Sequence, residues 1–452
     1  MLSECLFILK GEKMKHSVLQ KFIKYTSVNI LGMMGLSLYI LADTYFVSKA
    51  LGSIGIASLN LSISIYSIIH GLGLMIGIGG ATKFIILKTQ KNEKANRVFS
   101  TALKVGLVIG ILLILIGIFG SKRLAMGLGA DSVTLPLTQT YLTTILVFAP
   151  FFIVNNILLA FVRNDNNPNL SMIAMLVGSF SNIILDYLFI FPLNMGIFGA
   201  AFATALAPMI SILVLMVHFA HKNNTIKLIR NKLELNLVYD IFSLGLSSFI
   251  IEVSSAVALI TFNIVILRLE GNDGVAAYAI VANLALVAIA IFTGLAQGAQ
   301  PLISNYFGLK EFDRLKKTRK FALITTFIIA FVIYIITMVF SESIIQIFNS
   351  ENNSLVAQMA DVGLKFYFLG FFFAGINIVT TMILSATENI REALFISLSR
   401  GLIIIVPVVL MASYFWNMIG VWLAFVITES IVTGIGIYLE QLRNKSIINR
   451  KN

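Results

Sequence analysis

Residues 275–309 contain no charged side chain, and residues 53–87 contain a single lysine. A helix crosses roughly 30 Å of hydrocarbon in about 20 residues, so each such stretch can span a membrane by itself. Stretches of this kind recur along the whole chain, and the composition agrees. Hydrophobic residues make up 58% of it and charged residues 12%, where globular domains run nearer half and a quarter. Twelve crossings use about 240 residues, which fits a chain of 452 with short loops. The apolar runs are continuous rather than alternating, so helices are expected and a β-barrel is not. The expected fold is an all-α polytopic membrane protein.

Apolar spans are expected near 22–47, 54–82, 98–120, 137–161, 170–191 and 197–220, and again near 238–267, 275–306, 321–340, 356–386, 393–414 and 418–440. The longest charged stretch between them, HKNNTIKLIRNKLELN, follows the sixth span. It divides the chain into an amino tail (1–21), an amino-terminal six-helix lobe (22–220), a linker (221–237), a carboxyl-terminal six-helix lobe (238–440) and a carboxyl tail (441–452).

The net charge of +12 raises nucleic acid as a partner, but the distribution of charge answers that differently. With the amino terminus in the cytoplasm, all but seven of the 33 basic residues fall on the inner side. Lys49, Lys122, Arg123 and Arg268 lie outside, and Lys104, Lys365 and Arg400 within spans. This is the positive-inside pattern, with both termini cytoplasmic, and no nucleic acid is needed to explain it. The amino-terminal stretch is no cleavable signal peptide, and Met14 offers an alternative start. The single Cys5 and four scattered histidines (His16, His70, His218, His221) exclude a disulfide framework and a thiolate or imidazole metal cluster.

The halves repeat. Ala102-Leu103 recurs as Ala322-Leu323, Gly199 after Ile197-Phe198 recurs as Gly420 after Met418-Ile419, and Gly178 recurs as Gly401, at offsets of 220, 221 and 223. With six spans per repeat the copies run parallel, related by a pseudo-two-fold axis along the membrane normal. Two such lobes around a central cavity are a transporter architecture.

An ionisable group in hydrocarbon costs several kcal/mol and calls for a reason. Asp43 lies near the end of the first span, where a carboxylate could also reach the interface. Asp186 lies deep in the fifth, with Asn182 one turn earlier on the same face. Thr204 sits in GAAFATALAP, where small residues allow close packing and Pro208 frees a backbone carbonyl. Asn182 and Thr204 alone would serve as interhelical glue. Beside two carboxylates they complete an oxygen-rich set, fit for Na⁺ or for a proton held between acids that resist ionising together. As metal ligands, Asp43, Asn182, Asp186 and Thr204 apply only if the ion is Na⁺. Glu252 stands apart, among serines of the seventh span. Asp361 and Lys365, four apart, form an expected intrahelical ion pair; Arg400 and Glu429 either pair or face a cavity. The run GLGLMIGIGG at 71–80 lacks a preceding strand and a Lys-Ser/Thr, so it is a packing face rather than a nucleotide loop.

No zinc-hydrolase, serine-hydrolase or Walker motif is present, and Tyr239-Asp240 lacks the partner an intramembrane aspartyl protease needs. The chain is not expected to be an enzyme. Without an ATP site, active transport draws on an ion gradient.

Four passages, ADTYFVSKALGSIGIASLNLS, FVRNDNNPNLSMIAMLVGSFSNIILDYLFIF, GIFGAAFATAL and GLAQGAQPLISNYFGLKEFDRL, resemble the multidrug and toxic compound extrusion (MATE) family, bacterial multidrug-export branch. The resemblance spans essentially the whole chain. It implies twelve helices in two lobes around a V-shaped cavity in a bacterial cell membrane, and export of organic cations and other drugs in exchange for Na⁺ or H⁺. It also implies a cation site at Asp43, Asn182, Asp186 and Thr204, with Tyr39 one turn before Asp43, and a further carboxylate at Glu252. No cofactor is implied beyond the coupling ion. The partners implied are lipophilic-cation drugs and membrane lipid, with the protein a monomer.

Three departures accompany the likeness. The first span has Gly32 and Gly35 but no proline, the tenth span lacks the acid some members carry, and NDNNPN replaces a loop with glycine before the proline. A full amino-lobe set together with Glu252 leaves Na⁺ and H⁺ both open. The expected function is secondary active multidrug efflux by alternating access. The alternatives are a lipid-linked-precursor flippase, disfavoured because the buried charges are acidic, and a polytopic membrane enzyme.

Overall fold

The computed structural model describes residues 17–220, 224–230, 232–349 and 353–449. Cys5, Met14, His16, His221 and part of the linker and tails lie outside the described residues. The described residues contain helices and no strand. Twelve of the helices are long and apolar: α1 (Val18–Gly52), α2 (Ile54–Thr89), α3 (Ala95–Gly127), α4 (Leu135–Val147 and Ala149–Asn164), α5 (Pro168–Ile190) and α6 (Gly196–Ala220). Leu235–Gly308 divides at Gly271 into α7 and α8. Then come α9 (Phe312–Val339), α10 (Ser354–Ala386), and Ile390–Leu439, which divides at Trp416–Asn417 into α11 and α12.

Local chemistry sets the ends and bends. Ser17 and Gln20 form a capping box at the start of α1, each side chain bonding the other's backbone N–H (3.2 and 3.0 Å). The two parts of α4 meet at 49°, where Pro150 has no N–H for the carbonyl one turn back. Between α4 and α5, Asn166 takes φ 62°, a conformation asparagine tolerates. Asn167 then caps the Leu170 N–H at 3.3 Å and Pro168 opens α5.

The repeat is written in the backbone. Left-handed residues recur in pairs: Gly52 and Gly271 (φ 60° and 62°), Lys91 and Lys310 (55° and 59°), Asn166 and Glu388 (62° and 58°), Asn194 and Asn417 (50° and 49°). The pairs are 219, 219, 222 and 223 residues apart. At Gly52 and Gly271, ψ is −150° and −149°, a region that only glycine enters at low cost. Each lobe has its own core: one around Phe84, Phe99, Phe161 and Leu142, the other around Phe292, Phe368, Phe371 and Trp422.

The lobes meet along α1–α8 and α2–α7. A methyl group on Gly245 would strike the Met75 carbonyl, and one on Gly79 the Ile241 carbonyl. Gly294 and Gly298 likewise lie against the backbone of Ile30 and Tyr25, where an added Cβ would come within 2.7 and 2.6 Å. Small residues let backbones approach this closely within a membrane. The run at 71–80 is thus a packing face, with Gly73 and Gly77 against Asn156 and Gly80 against Phe161.

Candidate functional site

In the amino lobe, α5 presents Asn182 and Asp186 on one face, both fully buried, and α6 presents Thr204 opposite them. Asn182 lies 3.4 Å from the Thr204 hydroxyl. With its amide turned, it donates to Asp186 Oδ2 at 3.1 Å and accepts from the Thr204 N–H at 3.2 Å. This second orientation satisfies both ends. Pro208 stands four residues after Thr204, so the carbonyl it leaves without a helical partner is that of Thr204 itself.

Asp43 on α1 is 6% exposed, buried rather than reaching the interface, and within electrostatic reach of Asp186. Each aspartate keeps one oxygen, Oδ1, without any hydrogen bond. Tyr39 completes this group through a 2.7 Å bond to the Tyr66 hydroxyl, and Tyr141 of α4 lies against Thr204. The result is two carboxylates, an amide, hydroxyls and a freed carbonyl, with no basic side chain bonded to either acid among the described residues. No cluster of three or more His, Cys, Asp or Glu side chains fit for a metal ion occurs among the described residues. A cation here would be held by two carboxylates and neutral oxygens, a set suited to a hard ion.

Beside this group a cavity of about 70 Å³ lies within the amino lobe, lined by Tyr39, Tyr66, His70, Asn156, Arg163 and Thr204 among others and touched by Gln297 of the carboxyl lobe. It holds a few waters at most, whereas drug-sized ligands fill roughly 300–1,000 Å³. Glu252 does not stand apart as expected: its Oε2 lies 3.6 Å from His70 Nδ1 of the amino lobe.

Arg163 also departs from expectation. Sequence places it in a loop; the structure places it in the last turn of α4, 2% exposed. Its guanidinium donates to Asn29 of α1 (2.6 Å) and to Gln297 of α8 (2.8 Å). Asn164 donates to Gln300 (3.0 Å), which donates to Thr82 (2.9 Å). Lys83 reaches Asp240 (3.1 Å) and Glu388 (3.0 Å). These ties clamp the lobes at the end where α1 starts and the linker lies. At that end Asp165, its side chain fully buried, accepts from Lys88 (2.6 Å), His218 (2.9 Å) and the Thr225 N–H (2.9 Å), and also from the Thr225 hydroxyl. Burial pushes this carboxyl upward, but the four donors outweigh it and hold it down at about 2.

In the carboxyl lobe, Arg400 and Glu429 do pair. Glu429 Oε1 accepts from Arg400 Nη2 (2.8 Å) and Nε (3.1 Å), while Asn377 donates to its Oε2 (2.7 Å). Arg400 lies in a π-helical turn, Ser399–Ile403. Asp361 and Lys365 pair as expected, at 2.6 Å.

Asn182, Asp186 and Thr204 are thus brought into contact, with Asp43 within electrostatic reach, while Tyr39 bonds Tyr66 and Glu252 meets His70; sequence reading omitted Tyr66, Tyr141, His70 and Arg163. Tyr66 and His70 carried a legible signal, being one turn apart in the mostly small and apolar middle of a helix.

A protein-family model described as MatE matches residues 29–188 and 247–411, one block in each lobe. The chain belongs to the MatE family. Members of the MatE family are membrane transporters, and this chain is a multi-pass transporter rather than an enzyme. It is 29% identical over 420 residues to the multidrug export protein MepA of Staphylococcus saprophyticus, covering 92% of each chain. It is 27% identical over 421 residues to MepA of Staphylococcus aureus, again covering 92% of each. Among solved structures it resembles an outward-facing multidrug resistance MATE family transporter of the MOP superfamily (TM-score 0.90, 22% identity, 97% of this chain and 100% of that one). A MOP superfamily transporter from Pyrococcus furiosus superposes with TM-score 0.88 at 22% identity, over 96% and 98% of the two chains. These two likenesses establish the MatE fold of twelve helices in two parallel lobes.

Proposed function

We propose that this chain exports lipophilic, often cationic, drugs across a bacterial cell membrane in exchange for Na⁺ or H⁺. The observation that carries this reading is the buried Asp43–Asp186 pair, whose free oxygens face no bonded basic partner among the described residues. Two buried acids within electrostatic reach of each other resist ionising together, so the group favours taking up a cation or a proton. Its relatives export multiple drugs, which supports the substrate class.

Both termini and the linker lie in the cytoplasm, as the basic residues at that end of the bundle indicate. The lobes are clamped there by Arg163, Asn164 and Lys83, so the described state is closed toward the cytoplasm. Ion entry at Asp43 and Asp186 changes the charge on α1 and α5 and hence their packing. Glu252, 30% exposed and 3.6 Å from the cavity-lining His70, holds the cationic substrate, because a carboxylate beside low-dielectric walls attracts a cation strongly. Exchange then requires only that ion and drug prefer opposite arrangements of the lobes. The amino lobe (22–220) and carboxyl lobe (238–440) are the moving units, and the transporter works as a monomer without a resident cofactor.

The test is efflux of a lipophilic cation such as ethidium from proteoliposomes under an imposed Na⁺ gradient and, separately, a pH gradient. Efflux driven by one gradient and lost in Glu252→Gln supports the reading. Correctly inserted protein that moves no dye under either gradient contradicts it and returns the lipid-precursor flippase to consideration.

A further inference from the structure

His70 lines the cavity and meets Glu252, yet the reading above gives it no role. Its ring stacks on Tyr66, one turn earlier on α2, with centroids 6.0 Å apart and planes 7° from parallel. Its Nδ1 lies 3.6 Å from Glu252 Oε2, across the boundary between the lobes. Close packing fixes this approach: a Cβ on the neighbouring Gly71 would lie 3.0 Å from the Phe249 ring and 3.3 Å from Glu252 Cβ. Tyr66 is itself held edge-on by Phe152 of α4 (5.6 Å, 87°) and by its 2.7 Å bond to Tyr39. The ring therefore has little freedom to swing away from the carboxylate.

The charged and titratable groups around His70 are few. Glu252 faces it from α7 and Tyr66 from α2. Tyr39 of α1 lies beyond Tyr66, and Tyr66 feels both Glu252 and Asp43 electrostatically. Arg163 of α4 lines the same cavity but is engaged with Asn29 and Gln297. Glu252 is thus the one carboxylate within ion-pair distance of the imidazole among the described residues, and no other cation competes with His70 there. His70 and Glu252 keep 11% and 30% of their side-chain surface exposed, so water can deliver and remove a proton.

We propose that His70 is a proton-controlled competitor for Glu252, rivalling the cationic substrate for one carboxylate. The proposal rests on the reading of Glu252 as the substrate carboxylate. As imidazolium, His70 occupies Glu252 and keeps the cavity neutral. A monocation that takes Glu252 leaves the imidazolium facing a positive charge, and His70 gives its proton to cavity water. One cation enters and one proton leaves, so charge balances. Histidine suits this role because its proton comes and goes under ordinary cellular conditions, which a lysine cannot do.

The experiment is calorimetric titration of the full-length protein in nanodiscs with tetraphenylphosphonium, from pH 5.5 to 8.5, in buffers of differing ionisation enthalpy. Wild type should release up to one proton per cation bound, and its affinity should weaken toward about tenfold per unit as pH falls through the acid limb. His70→Gln should bind without pH dependence or proton release, as tightly in acid as wild type does in alkali. His70→Lys should also lose the pH dependence but bind weakly throughout, because its cation never leaves. Proton release and pH slope persisting in His70→Gln, or equal affinities for the Gln and Lys variants, would overturn the proposal. Glu252→Gln separates the two levels. Undiminished binding in that variant defeats the reading of Glu252, whereas weak binding there with an unchanged pH slope in His70→Gln defeats only the role of His70.

Discussion

Both lobes bury carboxylates in the membrane, and they treat them in opposite ways. In the carboxyl lobe Glu429 has its countercharge built in: Arg400 at 2.8 and 3.1 Å and the Asn377 amide at 2.7 Å. In the amino lobe Asp43 and Asp186 lie within electrostatic reach of each other, each with one oxygen bonded to nothing. A buried acid whose partner is another side chain holds helices together and is complete. A buried acid whose partner is missing is costly unless something from outside completes it. On this difference rests the proposal that one lobe's buried charge is structural and the other's couples an ion.

The comparison breaks most visibly on neutralisation. Asp43→Asn or Asp186→Asn should all but abolish gradient-driven efflux while leaving thermal stability in detergent unchanged or higher, because each removes an unsatisfied buried charge. Glu429→Gln should do the reverse. It strands Arg400 and should destabilise the fold by about 3–5 kcal/mol, while the paired change Arg400→Met with Glu429→Leu should be near neutral. Denaturation and efflux measured on the same preparations check both halves. A Glu429→Gln protein as stable as wild type would remove the structural assignment.

Smaller effects sharpen the picture at the junction of the lobes. Gly245→Leu should hold α2 and α7 apart, since even a methyl group there meets the Met75 carbonyl. Cysteines introduced at the linker end should then label several-fold faster than in the parent. Asp165→Asn should cost about 2 kcal/mol at neutral pH, from a carboxyl held at about 2 against an ordinary 3.8. Its folded-state value is lowered, so its contribution is present in full above about pH 4 and fades as pH falls toward 2. Melting temperatures of wild type and variant should therefore converge in acid.

Much of this was legible in the sequence, for reasons that can be named. Twelve crossings follow from run length, and the repeat followed from a few small residues whose offsets the left-handed turns at Gly52 and Gly271 reproduce. Asp43, Asn182 and Asp186 stood out because charge in hydrocarbon is conspicuous and a four-residue spacing places two groups on one face. Arg163 was hidden because its position near a span end looks like a loop, and only tertiary packing turns its guanidinium inward to Asn29 and Gln297. The bond of Tyr66 to Tyr39, the approach of Tyr141 to Thr204 and the pairing of His70 with Glu252 depend on how the helices pack, which no local pattern encodes. The register of the helices matters as well. Spacing alone does not place Arg400 within reach of Glu429, twenty-nine residues on and in a different span.

The central claim is that the unpaired acids of the amino lobe, and not the paired acid of the carboxyl lobe, couple ion to drug. Its most direct test follows ion entry and dye exit together in proteoliposomes holding wild type, Asp43→Asn, Asp186→Asn or the Arg400→Met, Glu429→Leu double variant. The account predicts linked ion and dye flux in wild type and the double variant, and neither flux in the two aspartate variants. Linked flux surviving in Asp43→Asn or Asp186→Asn, or lost in a well-folded double variant, would contradict it.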